Sequence, residues 1–140
     1  MSQTIDNIQD EIIEDFSMYE DWNDKYEFLI DFGKSLPLLD EQYKTEENRI
    51  HGCQSKVWLQ PEMKDDKLFF HADSDAIITK GIVGLLVKVL SGHTPKEIAD
   101  SDLYFIHKIG LQEHLSPTRA NGLLSMIKKM KTYGIAFQAK

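Results

Sequence analysis

Val57-Trp58-Leu59, then Leu68-Phe69-Phe70-His71-Ala72-Asp73, then the apolar run from Asp75 to Leu90: the order of these three stretches decides the fold. In the second stretch Leu68, Phe70 and Ala72 fall on one face and Phe69, His71 and Asp73 on the other, the alternation of a strand. Turn formers between Pro61 and Asp66 predict a hairpin, with Arg49-Ile50-His51 as a third strand. So small a sheet needs a helical layer on one face. Asp75–Leu90 supplies it, because Ala76, Ile77, Ile82, Val83, Leu85, Leu86, Val89 and Leu90 lie nearly all round a helix and imply burial on most sides. Gly81 and Gly84 each cost about 1 kcal/mol of helix propensity relative to alanine, so a close backbone approach is expected there.

Outward from this centre the chain reads as helices. Ile5, Ile8, Ile12 and Phe16 recur at helical spacing behind Thr4, a suitable N-cap. Asp21 caps a second stripe of Trp22, Tyr26, Leu29 and Ile30, with Gly33 expected to end it in left-handed backbone. Leu36-Pro37-Leu38-Leu39 reads as a packed connector, and Tyr43 to Arg49 as irregular chain with room for one short helix. After Ser91-Gly92, Thr94-Pro95-Lys96-Glu97 has the form of a capping box with proline at the first helical position. Ser101 to His107 holds another helical turn stopped by Gly110. Ser116-Pro117 opens the last helix, with Leu123, Ile127, Met130 and Phe137 as its buried stripe. The expected class is α+β: a small antiparallel three-stranded sheet packed against several α-helices, as one domain over 1–140.

Charge and composition narrow the function. A net charge of -7 with no long run of Lys and Arg argues against a nucleic-acid phosphate binder. Acid concentrates between Asp6 and Asp31, while Lys128-Lys129-Met130-Lys131 is a local basic patch. Either is an ordinary solvated helix face or a docking surface for a partner of opposite charge. No apolar run approaches the roughly 20 residues of a spanning helix, and no leader is visible after Met1. With a single cysteine there is no internal disulfide to form. A cytoplasmic protein is therefore expected.

That cysteine, in His51-Gly52-Cys53-Gln54-Ser55, sits at a loop-to-strand junction, where reacting groups are commonly carried. Gly52 allows a sharp turn that presents the sulfur. The ordinary alternative is an inert buried thiol. A metal site is not indicated, since one thiolate and five histidines without a metal-binding spacing make no recognisable ligand set. A cysteine hydrolase would need Cys53, a histidine and Asp73 or Asp75 brought together, and the flanking sequence carries no cysteine-protease signature. No nucleotide-binding phosphate loop is present. What a solitary thiol can do is accept a group and hand it on, provided His51, Lys56 or an arginine from elsewhere favours the thiolate.

His51-Gly52-Cys53-Gln54-Ser55 with Val57-Trp58-Leu59, Ala72-Asp73-Ser74-Asp75-Ala76 leading into Lys80-Gly81-Ile82, and Gly110-Leu111 with His114-Leu115-Ser116-Pro117-Thr118-Arg119 and Asn121-Gly122-Leu123 together resemble the SufE family of sulfur acceptors. The likeness runs over nearly the whole chain in one order. It implies a SufE/IscU-like fold and a partner, the pyridoxal-phosphate cysteine desulfurase SufS or its relative CsdA, whose persulfide sulfur passes to Cys53. The sulfur then goes on to iron-sulfur cluster assembly on a scaffold of the SufBCD type. The resemblance implies no cofactor in this chain and little turnover without the desulfurase, and it leaves room for a homodimer. By it, Gly52 lets the loop move, Gln54 and Ser55 bond loop or partner, and Arg119 docks the partner or pairs with Asp73 or Asp75. Helix capping is the plain alternative for the two aspartates, and sheet packing for Trp58. His51 receives no required role. The competing reading of the whole is a non-catalytic interaction domain of the same fold with a structural cysteine.

Overall fold

The computed structural model describes residues 4–36, 39–51 and 55–138. Six α-helices and one antiparallel hairpin follow in the order α1 (Ile5–Ser17), α2 (Trp22–Lys34), β1 (Val57–Lys64), β2 (Lys67–Ser74), α3 (Ile77–Leu90), α4 (Pro95–Asp100), α5 (Phe105–Lys108) and α6 (Pro117–Gln138). Single 3-10 turns stand at Glu41–Tyr43 and Gln112–His114.

The hairpin is longer and tighter than the sequence suggests. Pro61 lies within β1 opposite Phe70, which a two-stranded sheet tolerates because each strand has an open edge. The turn contracts to Asp65 and Asp66, with φ of 53° and 65°. Two positive φ angles suit the right-handed twist of a hairpin, and aspartate is among the residues that adopt them.

Among the described residues the sheet has two strands, not three. The segment expected as the third contributes one isolated bridge, Arg49 to Trp58. Ile50 N–H donates to the Val57 carbonyl and Leu59 N–H to the Asn48 carbonyl, both at 2.8 Å. Immediately upstream, Asn48 and Arg49 N–H groups bond back to Thr45 and Glu46, so the chain is curled where a strand would have to extend.

α3 is the central helix. Ile82, Val83, Leu85, Leu86, Val89 and Leu90 are buried, meeting Val57, Leu59, Leu68 and Phe70 of the hairpin and Ile5, Ile8, Ile12 and Phe16 of α1 in one core. Thr4 and Asp21 cap α1 and α2 as expected, accepting from Asn7 N–H and Asn23 N–H. The Thr94–Glu97 capping box forms in full. Gln9 is buried on α1, where its amide donates to the Asp102 carbonyl (3.0 Å) and accepts from Phe105 N–H (3.1 Å), fastening the start of α5. Among the described residues no helix is long and apolar enough to cross a membrane.

Gly33 does not end α2. The helix runs through it to Lys34, and among the described glycines positive φ belongs to Gly92 and Gly110. The space at Gly33 is taken by α3: a Cβ there would stand 2.8 Å from Gly81 N. A Cβ on Gly81 would in turn overlap the Leu29 carbonyl oxygen, a backbone atom that cannot rotate away. Gly81→Ala therefore forces α2 and α3 apart. Overpacking of this kind costs about 1–3 kcal/mol, against a propensity gain of about 1 kcal/mol. Denaturant unfolding is expected to show Gly81→Ala less stable than the parent, whereas alanine at exposed Lys88 of α3 should stay within about 0.5 kcal/mol.

Candidate functional site

The start of β1, the end of β2 and the first turn of α3 converge on one edge of the molecule. Here the strands hold the two sides of the cysteine segment: Cys53, with Gly52 and Gln54, lies outside the described residues, while His51 and Ser55 bracket it. Lys56 N–H donates to Asp75 Oδ1 (3.0 Å) and Asp75 N–H to the Lys56 carbonyl (3.2 Å), extending the hairpin pairing past the last strand residues. Ser55 Oγ lies 3.4 Å from Thr79 Oγ1 in the first turn of α3, where Thr79 is buried. That turn begins at Ala76, which offers no side-chain cap. Its N–H groups carry the positive end of the helix dipole.

A buried carboxylate stands beside this turn. Asp73 is 4% exposed on the sheet face away from the core. Its Oδ1 accepts from Ser74 N–H at 2.8 Å and meets Lys80 Nζ at 3.3 Å, and its Oδ2 meets Lys44 Nζ at 3.3 Å. Lys44 also lies over the Trp58 ring, 5.4 Å from its centroid. Burial alone would push the Asp73 pKa up, but the Ser74 N–H and the two lysines outweigh it and hold the carboxyl below its ordinary value of 3.8.

Of the other residues singled out in the sequence, His51 is exposed and 3.6 Å from Glu46. Arg119 lies in the first turn of α6, its N–H donating to Ser116 Oγ, and its Nε is buried without an acceptor among the described residues. The expected pairing of Arg119 with Asp73 or Asp75 is not found among them, since Asp73 is taken by Lys44 and Lys80 and Asp75 by the Lys56 backbone. The sequence reading missed Lys44, Thr79 and the salt bridge of Lys80. Lys44 approaches from a segment almost thirty residues upstream of Asp73, which no local spacing announces. No cluster of three or more His, Cys, Asp or Glu side chains suited to a metal occurs among the described residues.

Removing the charge at residue 73 leaves two lysines, each about one-fifth exposed, without their common anion. Asp73→Asn is expected to lower stability by about 2 kcal/mol, less than a wholly buried pair because water reaches the amines. Because the native pKa is depressed, the charge contributes fully above the unfolded-state value and its contribution is lost as pH falls through the native one. Urea unfolding across pH should give a constant difference between parent and variant from neutrality to about pH 5, closing below about pH 4.

Comparison with known proteins agrees with this architecture. A family model described as SufE, Fe-S metabolism associated domain, matches residues 10–134. An uncharacterized SufE-like protein of Rhizobium meliloti is 43% identical over 88% of this chain and 91% of its own. SufE-like protein 1, chloroplastic/mitochondrial, of Arabidopsis thaliana is 41% identical over 93% of this chain but only 35% of its own. A solution structure of a hypothetical protein from Thermus thermophilus shares the fold, with a TM-score of 0.79 over 95% of this chain and 97% of that one at 19% identity. The segment order, the paired strands beside a buried α3 and the match over 125 residues lead to one conclusion: this chain belongs to the SufE family and to Fe-S metabolism.

Proposed function

We propose that the chain, acting as a single SufE-like domain in the cytoplasm, is the sulfur acceptor and activator of a pyridoxal-phosphate cysteine desulfurase of the SufS or CsdA type. Cys53 is the nucleophile. Its thiolate attacks the outer sulfur of the desulfurase persulfide, a bond forms between Cys53 Sγ and that sulfur, the donor's S–S bond breaks, and the donor cysteine leaves as a thiolate. Two electrons move within the exchange and no oxidant is consumed. The pyridoxal phosphate belongs to the desulfurase. The carried sulfur then goes to a cluster-assembly scaffold of the SufBCD type by the same exchange.

The observation that carries this reading is the frame around the cysteine segment. Ser55, two residues after Cys53, is held against the uncapped first turn of α3. Lys44 and Lys80 stand at the same edge on Asp73, and Arg49 crosses to Trp58. A helix N-terminus and nearby cations favour a thiolate over a thiol, which at an ordinary pKa of about 8.5 is only a few per cent ionised at neutrality. The chain has no second cysteine to resolve a persulfide into a disulfide, so the sulfur stays available for transfer. Gly52, Gln54, His51, Asp75 and Arg119 serve the loop and its docking in this reading.

The test is alanine production by a purified cognate desulfurase with and without the protein, together with intact mass after incubation with cysteine. Several-fold stimulation and a gain of one sulfur atom are expected, both lost in Cys53→Ser while its unfolding transition is unchanged. An unmodified protein that leaves an active desulfurase at its basal rate would overturn the assignment in favour of a non-catalytic interaction domain.

A further inference from the structure

The basic run near the C-terminus divides in the folded chain. Lys131 turns away and donates to the Ser101 carbonyl at 2.5 Å. Ser125, Lys128, Lys129 and Thr132, at i, i+3, i+4 and i+7 of α6, share one face and line a groove of about 250 Å³ with Arg49 and His51. Three permanent cations and a histidine thus meet in a protein of net charge -7. Among the described residues no carboxylate lines the groove.

The facing charges leave this cationic character largely uncompensated. Glu46, outside the groove, reaches Arg49 Nη1 at 3.4 Å and His51 Nε2 at 3.6 Å, but it is 74% exposed and such a pair exchanges readily. Glu47 acts on Tyr133, one turn along α6. Lys129 lies over the Tyr133 ring at 5.3 Å, which orients the amine without neutralising it. Neither Lys128 nor Lys129 has an ion-pair partner among the described residues, and Arg49 Nε lacks an acceptor there.

From this geometry we infer that the Arg49–Lys128–Lys129 groove docks an acidic segment of the sulfur-donating protein, presenting one or two Asp or Glu side chains beside the cysteine segment. The inference rests on the sulfur-acceptor reading and names the surface that reading requires. His51 places the groove next to Gly52 in sequence, so a partner seated there reaches the reacting cysteine in the same encounter. The volume suits individual carboxylate side chains rather than a drug-sized metabolite, whose pockets begin near 300 Å³. Opposed charges across such an encounter raise the association rate and set the register of docking.

Charge reversal at both lysines, Lys128→Glu with Lys129→Glu, tests this, with Lys64→Glu plus Lys88→Glu as a control of equal charge change. Lys64 ends β1 at the far tip of the hairpin and Lys88 is exposed near the other end of α3. Binding to the cognate desulfurase and its stimulation are titrated at low and high salt, with thermal unfolding confirming that both variants fold. The concentration for half-maximal stimulation is expected to rise roughly five- to tenfold in the groove variant, with the rate at saturation retained. Added salt should weaken the parent and the control but leave the groove variant nearly unchanged. Equal shifts in groove and control variants, or no shift in either while the parent stimulates normally, would overturn the docking surface and leave the acceptor role standing. A parent that neither binds nor stimulates would remove the acceptor role and this surface with it.

Discussion

The contact on which the rest depends is the crossing of α2 and α3 at Gly33 and Gly81, where neither helix leaves room for a Cβ. α3 is buried by the hairpin and α1 as well as by α2, so its position sets where the strands and the outer helices sit. Two glycines within one helix sacrifice local propensity. The return is a tertiary one: α2 comes close enough to seal an apolar helix that would otherwise face water.

The same placement brings the candidate site together. Because β2 runs directly into α3, the first turn of that helix lies beside the last residues of the hairpin, and Ser55 and Lys56 dock where Thr79 and Asp75 wait. Asp73 then serves as a counter-anion for Lys44 and Lys80. A buried carboxylate of this kind contributes modest net stability, but it fixes the direction from which two cations approach. On the strand side of the cysteine segment, Ser55 and Lys56 are thus tied by hydrogen bonds to the first turn of α3 and to Asp75.

Charge is distributed to match. Carboxylates dominate α1 and α2, whereas Lys128 and Lys129 of α6 gather with Arg49 and His51 along one groove. A protein negative overall but locally positive along one groove presents an uneven field, and such a field orients charged molecules that approach it.

Much of this was legible along the chain because periodicity and caps are local. The alternation from Leu68 to Asp73, the apolar circumference of α3, Thr4, Asp21 and the Thr94–Glu97 box each depend on neighbours a few residues away, and each took the form expected. The three separated motifs around His51–Ser55, Ala72–Ala76 and Gly110–Leu123, agreeing in order, indicated the family. What needed tertiary structure were contacts between distant segments. Arg49-Ile50-His51 has the composition of a strand, but the curl from Thr45 to Asn48 leaves it a single bridge. Gly33 looks like a helix terminus, yet the close approach of Gly81 makes it an interior residue. Asp73 alternates outward in sequence, and only the arrival of Lys44 and Lys80 turns that outward position into a buried ion cluster. The sequence determined the elements and the family; the tertiary structure decided which charges are spent on one another and which remain for a partner, because charge pairing depends on distance in space rather than along the chain.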